Sequence, residues 1–378
     1  MDVNDSLFLI KKINIKKRKS LNYIAFIKFL AMIKIIKWHL FKWHKKPIDY
    51  GARMCEILFV SSGFLVGYNH YKSSMICDYE TSFKYCYKHL RVFYPLLIII
   101  TTYGFFIKAQ KQNAFIELEI FISNILMIIP WSRYWLKLTF FTAHTWFLSC
   151  LMISYFLTPL LLKGIKNKEC SLILFIIISF IRITIEEITK KASINLLDIN
   201  FHVGPIIRLL EFYMGMLLIP FFCFLSKYFD NFQISKDFKI KFTIIQLICP
   251  IIIYYIMLKY NYILYRCYFV LIFCVFIFIT SYDYGYLSNL FALKFFSTIM
   301  SCQMEMYLLH MTINETFNIY INKRMFESLF NSETQFLIKL FIIFIVGFLY
   351  KIFFRERCAK LFDKIISLFK FIQRKSQS

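Results

Sequence analysis

The sequence lacks the cysteine and histidine patterns that hold metals or mark redox motifs. Its 11 cysteines include no Cys-x-x-Cys pair, and no group of histidines and cysteines has zinc spacing. They lie in apolar runs such as LIFCVFIF and LICPIII, so we expect them to act as small core hydrophobes. The sequence therefore predicts no metal site and no permanently bound cofactor.

Acidic residues are also scarce. The chain has 22 Asp and Glu against 46 Lys and Arg, which gives a formal net charge of +24. Such a charge suits nucleic-acid binding, but no recognition motif accompanies it. In a membrane protein the basic residues mark cytoplasmic loops and attract anionic lipid. We therefore expect membrane lipids, and no nucleic acid, among the partners.

No linker, low-complexity tract or separate soluble domain divides the chain. The 378 residues are 59% hydrophobic and 20% aromatic, which is more apolar surface than a soluble fold can bury. Repeated apolar runs of about 20 residues are long enough to cross a bilayer. The sequence thus predicts an all-α polytopic protein of the plasma (inner) membrane. No small-residue cleavage site follows the basic segment KKINIKKRKS, so we expect the first span to stay uncleaved.

Both ends of the chain are basic, which predicts cytoplasmic termini and an even number of crossings. Ten spans are predicted, near 22–40, 51–69, 92–108, 145–163, 171–185, 205–226, 242–258, 262–281, 295–313 and 335–354. The run 115–131 is short and acidic, and is interpreted as re-entrant or interfacial. The predicted parts are a basic N-terminal segment (1–20), a membrane domain (21–356) and a basic amphipathic cytoplasmic tail (357–378) on the membrane surface.

The first predicted span, IKFLAMIKIIKWHL, carries charges where a membrane helix rarely has them. A charged residue at the bilayer centre costs roughly 2.5–3.5 kcal/mol on insertion scales and is usually functional. Lys28 and His39 are eleven residues apart, so they lie about 20° from a common helix face and about 16 Å apart along the axis. Snorkelling to the interface explains Lys37 better than Lys28.

Polar residues recur in other spans, and each also has a structural interpretation. The small patch Ser61-Ser62-Gly63 suits close helix packing, and Lys88 and Arg91 suit a cytoplasmic helix end. Arg208 and Glu211, three residues apart, can neutralise each other. The remaining polar or aromatic residues of this kind are Glu56, His144, Trp146, Glu305, Tyr307 and His310.

Taken in order, the motifs resemble the integral-membrane acyltransferase family 3, whose members O-acylate bacterial surface glycans. The family's first span has an Arg, ten residues and a catalytic His, matched here by Lys28 and His39. LFVSSGFL at 58–65 matches its second-span motif, and Lys88, Arg91 and Pro95 match its basic third-span motif. TWFL, EFYMG and MEMYLLH match three later helices, and the similarity runs from residue 22 to about 355.

The resemblance implies transfer of an acyl group, commonly acetyl, from cytoplasmic acyl-coenzyme A to a hydroxyl of a surface polysaccharide or lipid-linked glycan. It implies that His39 is the base or carries the acyl group, with Lys28 stabilising negative charge. Lys28 stands where the family has Arg. A lysine keeps the positive charge but lacks the planar guanidinium group that can donate two parallel hydrogen bonds. The implied donor-binding residues are Lys88, Arg91, Ser62 and Gly63, and those orienting the acceptor are Arg208, Glu211, Trp146 and His310.

Two other functions fit the same residues. In a transporter or flippase for a charged lipid-linked glycan, the intramembrane charges would line a passage, although the two halves of the sequence show no convincing repeat. In a structural or regulatory membrane partner, exchanging His39 for Gln would leave function intact.

Overall fold

The fold was analysed in a computed structural model, which describes residues 21–41, 50–71, 77–109, 114–131, 144–191, 204–230, 235–260, 266–321 and 329–375. These residues are 90% helical and contain no β-strand. The predicted basic N-terminal segment, 1–20, lies outside the described residues.

Sixteen α-helices make up most of the described residues. In chain order they are α1 (Asn22–Phe41), α2 (Tyr50–His70), α3 (Tyr79–Leu90), α4 (Tyr94–Ala109), α5 (Ala114–Ile125), α6 (Trp146–Leu161), α7 (Lys168–Lys191), α8 (Pro205–Leu217), α9 (Ile219–Asp230), α10 (Lys236–Tyr260), α11 (Arg266–Thr280), α12 (Tyr286–Ala292), α13 (Lys294–Met300), α14 (Gln303–Tyr320), α15 (Ser332–Leu349) and α16 (Arg355–Lys375). Short 3₁₀ turns cover Ile129–Trp131 and Leu162–Ile165, and a π-helical turn covers Tyr350–Phe354.

Among the described residues, four helical segments are long and apolar enough to cross a membrane. They are Trp146–Ile165, Pro205–Phe229, Lys236–Lys259 and Ser332–Leu368, and the bent pair α3–α4 makes a fifth if it is one span. This agrees with a membrane protein, but the predicted count of ten spans is not confirmed. Helices α1 and α7 each carry several charged residues, of which Arg182 and Glu186 of α7 are buried.

Helix α7 shows how the chain distributes polarity. One face exposes an apolar stripe at helical spacing, consisting of Leu172, Ile173, Ile176, Ile177 and Phe180. The opposite face buries Ser171, Arg182 and Glu186. Apolar side chains outside and charged side chains inside are the reverse of a soluble protein and suit a helix whose outer face contacts lipid.

The closest helix pair is α2 with α8, because glycines let the two backbones meet. A Cβ atom added to Gly63 would lie 1.8 Å from the Phe212 carbonyl oxygen, and one added to Gly215 would lie 2.0 Å from the Val60 carbonyl oxygen. Small residues at membrane helix interfaces serve this purpose. Gly63, predicted to bind the acyl donor, therefore has a clear packing role.

Two predicted segments each consist of two elements in the structure. The span predicted at 295–313 is divided, because the amides of Ser301 and Cys302 bond back to Ser297 and Ile299 and close α13 before α14 begins. The run 115–131, predicted to be re-entrant or interfacial, forms the 12-residue helix α5 and the turn Ile129–Trp131, and α5 packs against α4, which is compatible with either interpretation. Its Phe121 ring lies 5.3 Å from Phe105.

The C-terminal tail was expected to lie on the membrane surface. In the structure, α16 continues α15 through the π-helical turn, within a single segment from Ser332 to Leu368, and the surface position of the tail stays a prediction. Asp363 fixes it to the α3–α4 junction by accepting hydrogen bonds from Tyr87 (2.6 Å) and Arg91 (2.9 Å). At its start, Arg355 pairs with the buried Glu305 at 3.1 Å.

The glycine contact between α2 and α8 predicts a selective loss of stability. Gly215→Ala should destabilise the protein by about 1–3 kcal/mol, because the added methyl group overpacks a backbone contact. Gly347→Ala is the matched control, since its added Cβ would meet Met306 at an ordinary 3.4 Å. Thermal unfolding in detergent measures both, and equal melting temperatures for the two variants would contradict the packing assignment.

Candidate functional site

Lys28 of α1 and Ser62 of α2, both predicted site residues, meet across the helix interface. The Lys28 ammonium donates a hydrogen bond to the Ser62 hydroxyl at 3.1 Å. Both residues line a small cavity of about 40 Å³, which Tyr155 and Tyr307 also border. The cavity therefore combines one cation, the hydroxyl-bearing residues Ser62, Tyr155 and Tyr307, the amide-bearing Gln303 and a largely apolar wall.

Three histidines from three parts of the chain lie ring against ring. The centroid of His310 is 5.1 Å from that of His39 and 4.8 Å from that of His144. His144 and His310 are completely buried, whereas His39 is partly buried. The end of α1 and the segment just before α6 thus bring the His39 and His144 imidazoles to His310 in the middle of α14.

Backbone carbonyl groups of α14 fix the two buried rings. His144 Nε2 lies 2.9 Å from the Leu308 carbonyl oxygen, and His310 Nδ1 lies 2.5 Å from the Tyr307 carbonyl oxygen. The Tyr307 hydroxyl in turn donates a hydrogen bond to the His144 carbonyl oxygen at 2.8 Å. Two hydrogen bonds therefore join α14 to the residues at the start of α6: one involves the His144 ring and the other the His144 carbonyl group.

Tyr307 also separates the two parts of the site. Its side chain borders the Lys28 cavity, and its ring centroid is 5.5 Å from that of His310. His39 does not border the cavity, as expected if it lies about 16 Å from Lys28 along α1. The two predicted catalytic residues are therefore at neighbouring subsites with Tyr307 between them.

Arg208 and Glu211 belong to a larger buried charge network. Glu211 lies 2.5 Å from Arg208 and 3.5 Å from Arg182 of α7, which also pairs with Glu186 at 3.0 Å. Glu186 accepts a hydrogen bond from the Cys267 amide at 2.8 Å. The network links α7, α8 and α11, and mutual neutralisation accounts for the Arg208–Glu211 pair.

The same network extends towards α2 and α6. Arg53 pairs with the buried Glu56 at 3.4 Å within α2. The Arg208 guanidinium lies 5.7 Å from the ring centroid of Trp146 and 5.6 Å from that of Phe59. Trp146, predicted with Arg208 and Glu211 as an acceptor-orienting residue, is thus beside them, whereas His310 is in the histidine group.

Lys88 lies in the last turn of α3, and Arg91 follows directly after the helix. Lys88 is exposed. Arg91 is paired with Asp363 of the tail helix, so an anionic ligand would compete with a carboxylate for it. Between them, His89 stacks on Tyr155 with centroids 4.5 Å apart, and Tyr155 borders the Lys28 cavity. The α3–α4 junction is therefore next to the cavity.

Sequence reasoning missed Arg53, Arg182, Glu186 and the part that His144 plays. The Arg–Glu spacings of three and four residues were visible signals for the charge pairs. Nothing in the sequence linked His144 to His310. No group of three His, Cys, Asp or Glu residues suited to a metal ion occurs in the part of the chain that the structure describes.

Searches of family models, curated proteins and solved structures find no match to this chain. The resemblance to acyltransferase family 3 therefore stays a prediction that depends on its motifs.

The buried network predicts unequal effects for two Glu→Gln exchanges. Glu211→Gln should cost about 3–5 kcal/mol because it leaves the buried guanidinium groups uncompensated. Glu333→Gln should cost about 0–1 kcal/mol, because the Glu333 side chain is 66% exposed where it pairs with Lys37. Denaturant unfolding in mixed micelles measures the difference, and similar costs would show that Glu211 does not hold the network together.

Proposed function

We propose that this protein is a membrane O-acyltransferase, of O-acetyltransferase type, in the plasma membrane. It would move an acyl group from cytoplasmic acyl-coenzyme A to a hydroxyl of a cell-surface polysaccharide or lipid-linked glycan. The observation that carries this proposal is the His39–His310–His144 group next to a cavity that contains the Lys28 ammonium. Ten spans and cytoplasmic termini belong to the proposal as well.

Histidine suits the chemistry because its ordinary pKa of about 6.5 lets it take a proton near neutral pH. His39 would remove the proton of the acceptor hydroxyl, or carry the acyl group as an acyl-imidazole before transfer. Lys28 would stabilise negative charge on the donor in the cavity, and the acyl group would then pass Tyr307 to reach His39, about 16 Å away along α1. Ser62, which accepts the Lys28 hydrogen bond, would hold the ammonium in place.

The size of the cavity favours a small acyl group. A volume of about 40 Å³ holds roughly three water molecules at about 10–15 Å³ each. An acetyl group is of that size, whereas a long acyl chain or the coenzyme itself is not. The coenzyme would therefore stay near Lys88 and Arg91, with its phosphates displacing Asp363 from Arg91.

A transporter or flippase for a charged lipid-linked glycan is the second candidate. Buried charges favour it in general, since they often line transport paths. Here the charges of Arg182, Arg208 and Glu211 satisfy one another at close range, which favours a structural role for them over a passage.

Labelled acetyl-coenzyme A tests the proposal in membrane vesicles with the cytoplasmic face outward and a glycan acceptor inside. Wild-type protein should label the glycan, and His39→Ala should reduce the rate about 10²–10⁴-fold, the usual contribution of a general base. Lys37→Ala is the control, because Lys37 pairs with the exposed Glu333. If correctly inserted wild-type protein labels nothing, the acyltransferase proposal fails and the transporter becomes the leading candidate.

The Lys28 cavity yields a separate prediction. Lys28→Met should lower kcat by about 10²–10³, the typical loss for one oxyanion donor, and Lys28→Arg should restore much of it because the charge returns. Lys34→Met is the matched exchange on the same helix, since Lys34 is exposed and lies over the Tyr254 ring. Steady-state acyl-transfer rates of the variants test this prediction. An equal loss of kcat in the Lys28→Met and Lys34→Met variants would show that Lys28 has no specific role in the reaction.

A further inference from the structure

Two imidazole nitrogens in the histidine group are buried and have no hydrogen-bond partner. They are Nδ1 of His144 and Nε2 of His310, on rings whose centroids are 4.8 Å apart. Buried polar atoms are nearly always satisfied in folded proteins, so each exception calls for a reason such as a catalytic role.

The backbone contacts determine which nitrogen of each ring carries the proton. A carbonyl oxygen can only accept, so His144 Nε2 must donate to Leu308 and His310 Nδ1 must donate to Tyr307. In a neutral imidazole the other nitrogen then has a lone pair. The two unpartnered atoms are therefore both acceptors.

We propose that His144 and His310 form a proton-binding pair, in which one proton is held by His144 Nδ1 and His310 Nε2 together. The two acceptor atoms have no donor of their own, and a proton shared between them would satisfy both. The bonds to α14 hold the two rings side by side, with centroids 4.8 Å apart.

Few titratable groups face this pair. The titratable groups that face it are His39 of α1, 5.1 Å from His310 between ring centroids, and Tyr307 of α14. The thiols of Cys55 on α2 and Cys150 on α6 lie near Tyr307. No carboxylate of the described residues pairs with either imidazole, since Glu305 is engaged by Arg355.

The pair gives the proposed reaction a place for its proton, a role that depends on the proposed acyl transfer. The acceptor O–H bond breaks as its oxygen bonds the acyl carbon, and His39 passes the proton to His310 and His144. The carbon–sulfur bond then breaks, and the proton returns through His39 to the coenzyme thiolate. His144 is on this account a positioning residue that acts through His310.

Conservative exchanges separate proton binding from folding. Gln places its amide nitrogen near the position of His Nε2, so His144→Gln can keep the bond to Leu308 while losing the titrating ring. Asn likewise mimics Nδ1, so His310→Asn can keep the bond to Tyr307. His70→Gln exchanges a histidine at the far end of α2 and is the control.

Nitrogen-15 NMR of histidine-labelled protein in nanodiscs, recorded over a range of pH, measures the protonation of His144 and His310 directly. In wild type, His144 and His310 should titrate together at one midpoint. In His144→Gln the midpoint of His310 should fall by about one pH unit or more, because the midpoint then belongs to one ring and no longer to the pair. His310→Asn should lower the midpoint of His144 in the same way, and His70→Gln should change neither.

Two results would contradict the proposed proton-binding pair. One is that His144 and His310 titrate at independent midpoints in wild type, and the other is that His144→Gln leaves the His310 midpoint unchanged. This readout does not require acyl transfer, so it can succeed even if the vesicle assay shows no activity. If the pair is present and transfer occurs, His144→Gln should also shift the pH profile of kcat by a similar amount.

Discussion

The structure depends on charge compensation inside an apolar envelope. Arg208 and Arg182 are both completely or almost completely buried, and Glu211 lies between them. An uncompensated charge at this depth would cost several kcal/mol, so α7 and α8 must approach each other with these side chains in register. The lipid-facing surfaces can then be uniformly apolar, as the outer face of α7 is.

The network also determines where the reactive residues lie. Close backbone contact between α2 and α8 at Gly63 and Gly215 sets the position of Ser62 beside Lys28. The start of α6 is held between Arg208, which lies near Trp146, and Tyr307, which bonds the His144 carbonyl. The histidine group and the Lys28 cavity are thus consequences of the same helix packing.

Part of this arrangement was predictable from local pattern. The eleven-residue spacing predicted Lys28 and His39 on one helix face, and apolar run length predicted an all-helical chain, in which four described segments are long and apolar enough to cross a membrane. The position of His144 beside His310 was not predictable. The two residues are 166 positions apart in the chain, and their contact depends on how α6 packs against α14. Arg182 was missed for a similar reason, since its partner Glu211 is on another helix.

The most direct test of the account is a cryo-electron microscopy structure in lipid nanodiscs with a non-hydrolysable acetyl-coenzyme A analogue. The account predicts the acetyl group in the cavity beside Lys28 and Ser62, against Tyr307, with the coenzyme extending towards the α3–α4 junction and Asp363 displaced from Arg91. An analogue bound elsewhere, with the cavity closed and the Arg91–Asp363 pair intact, would contradict it.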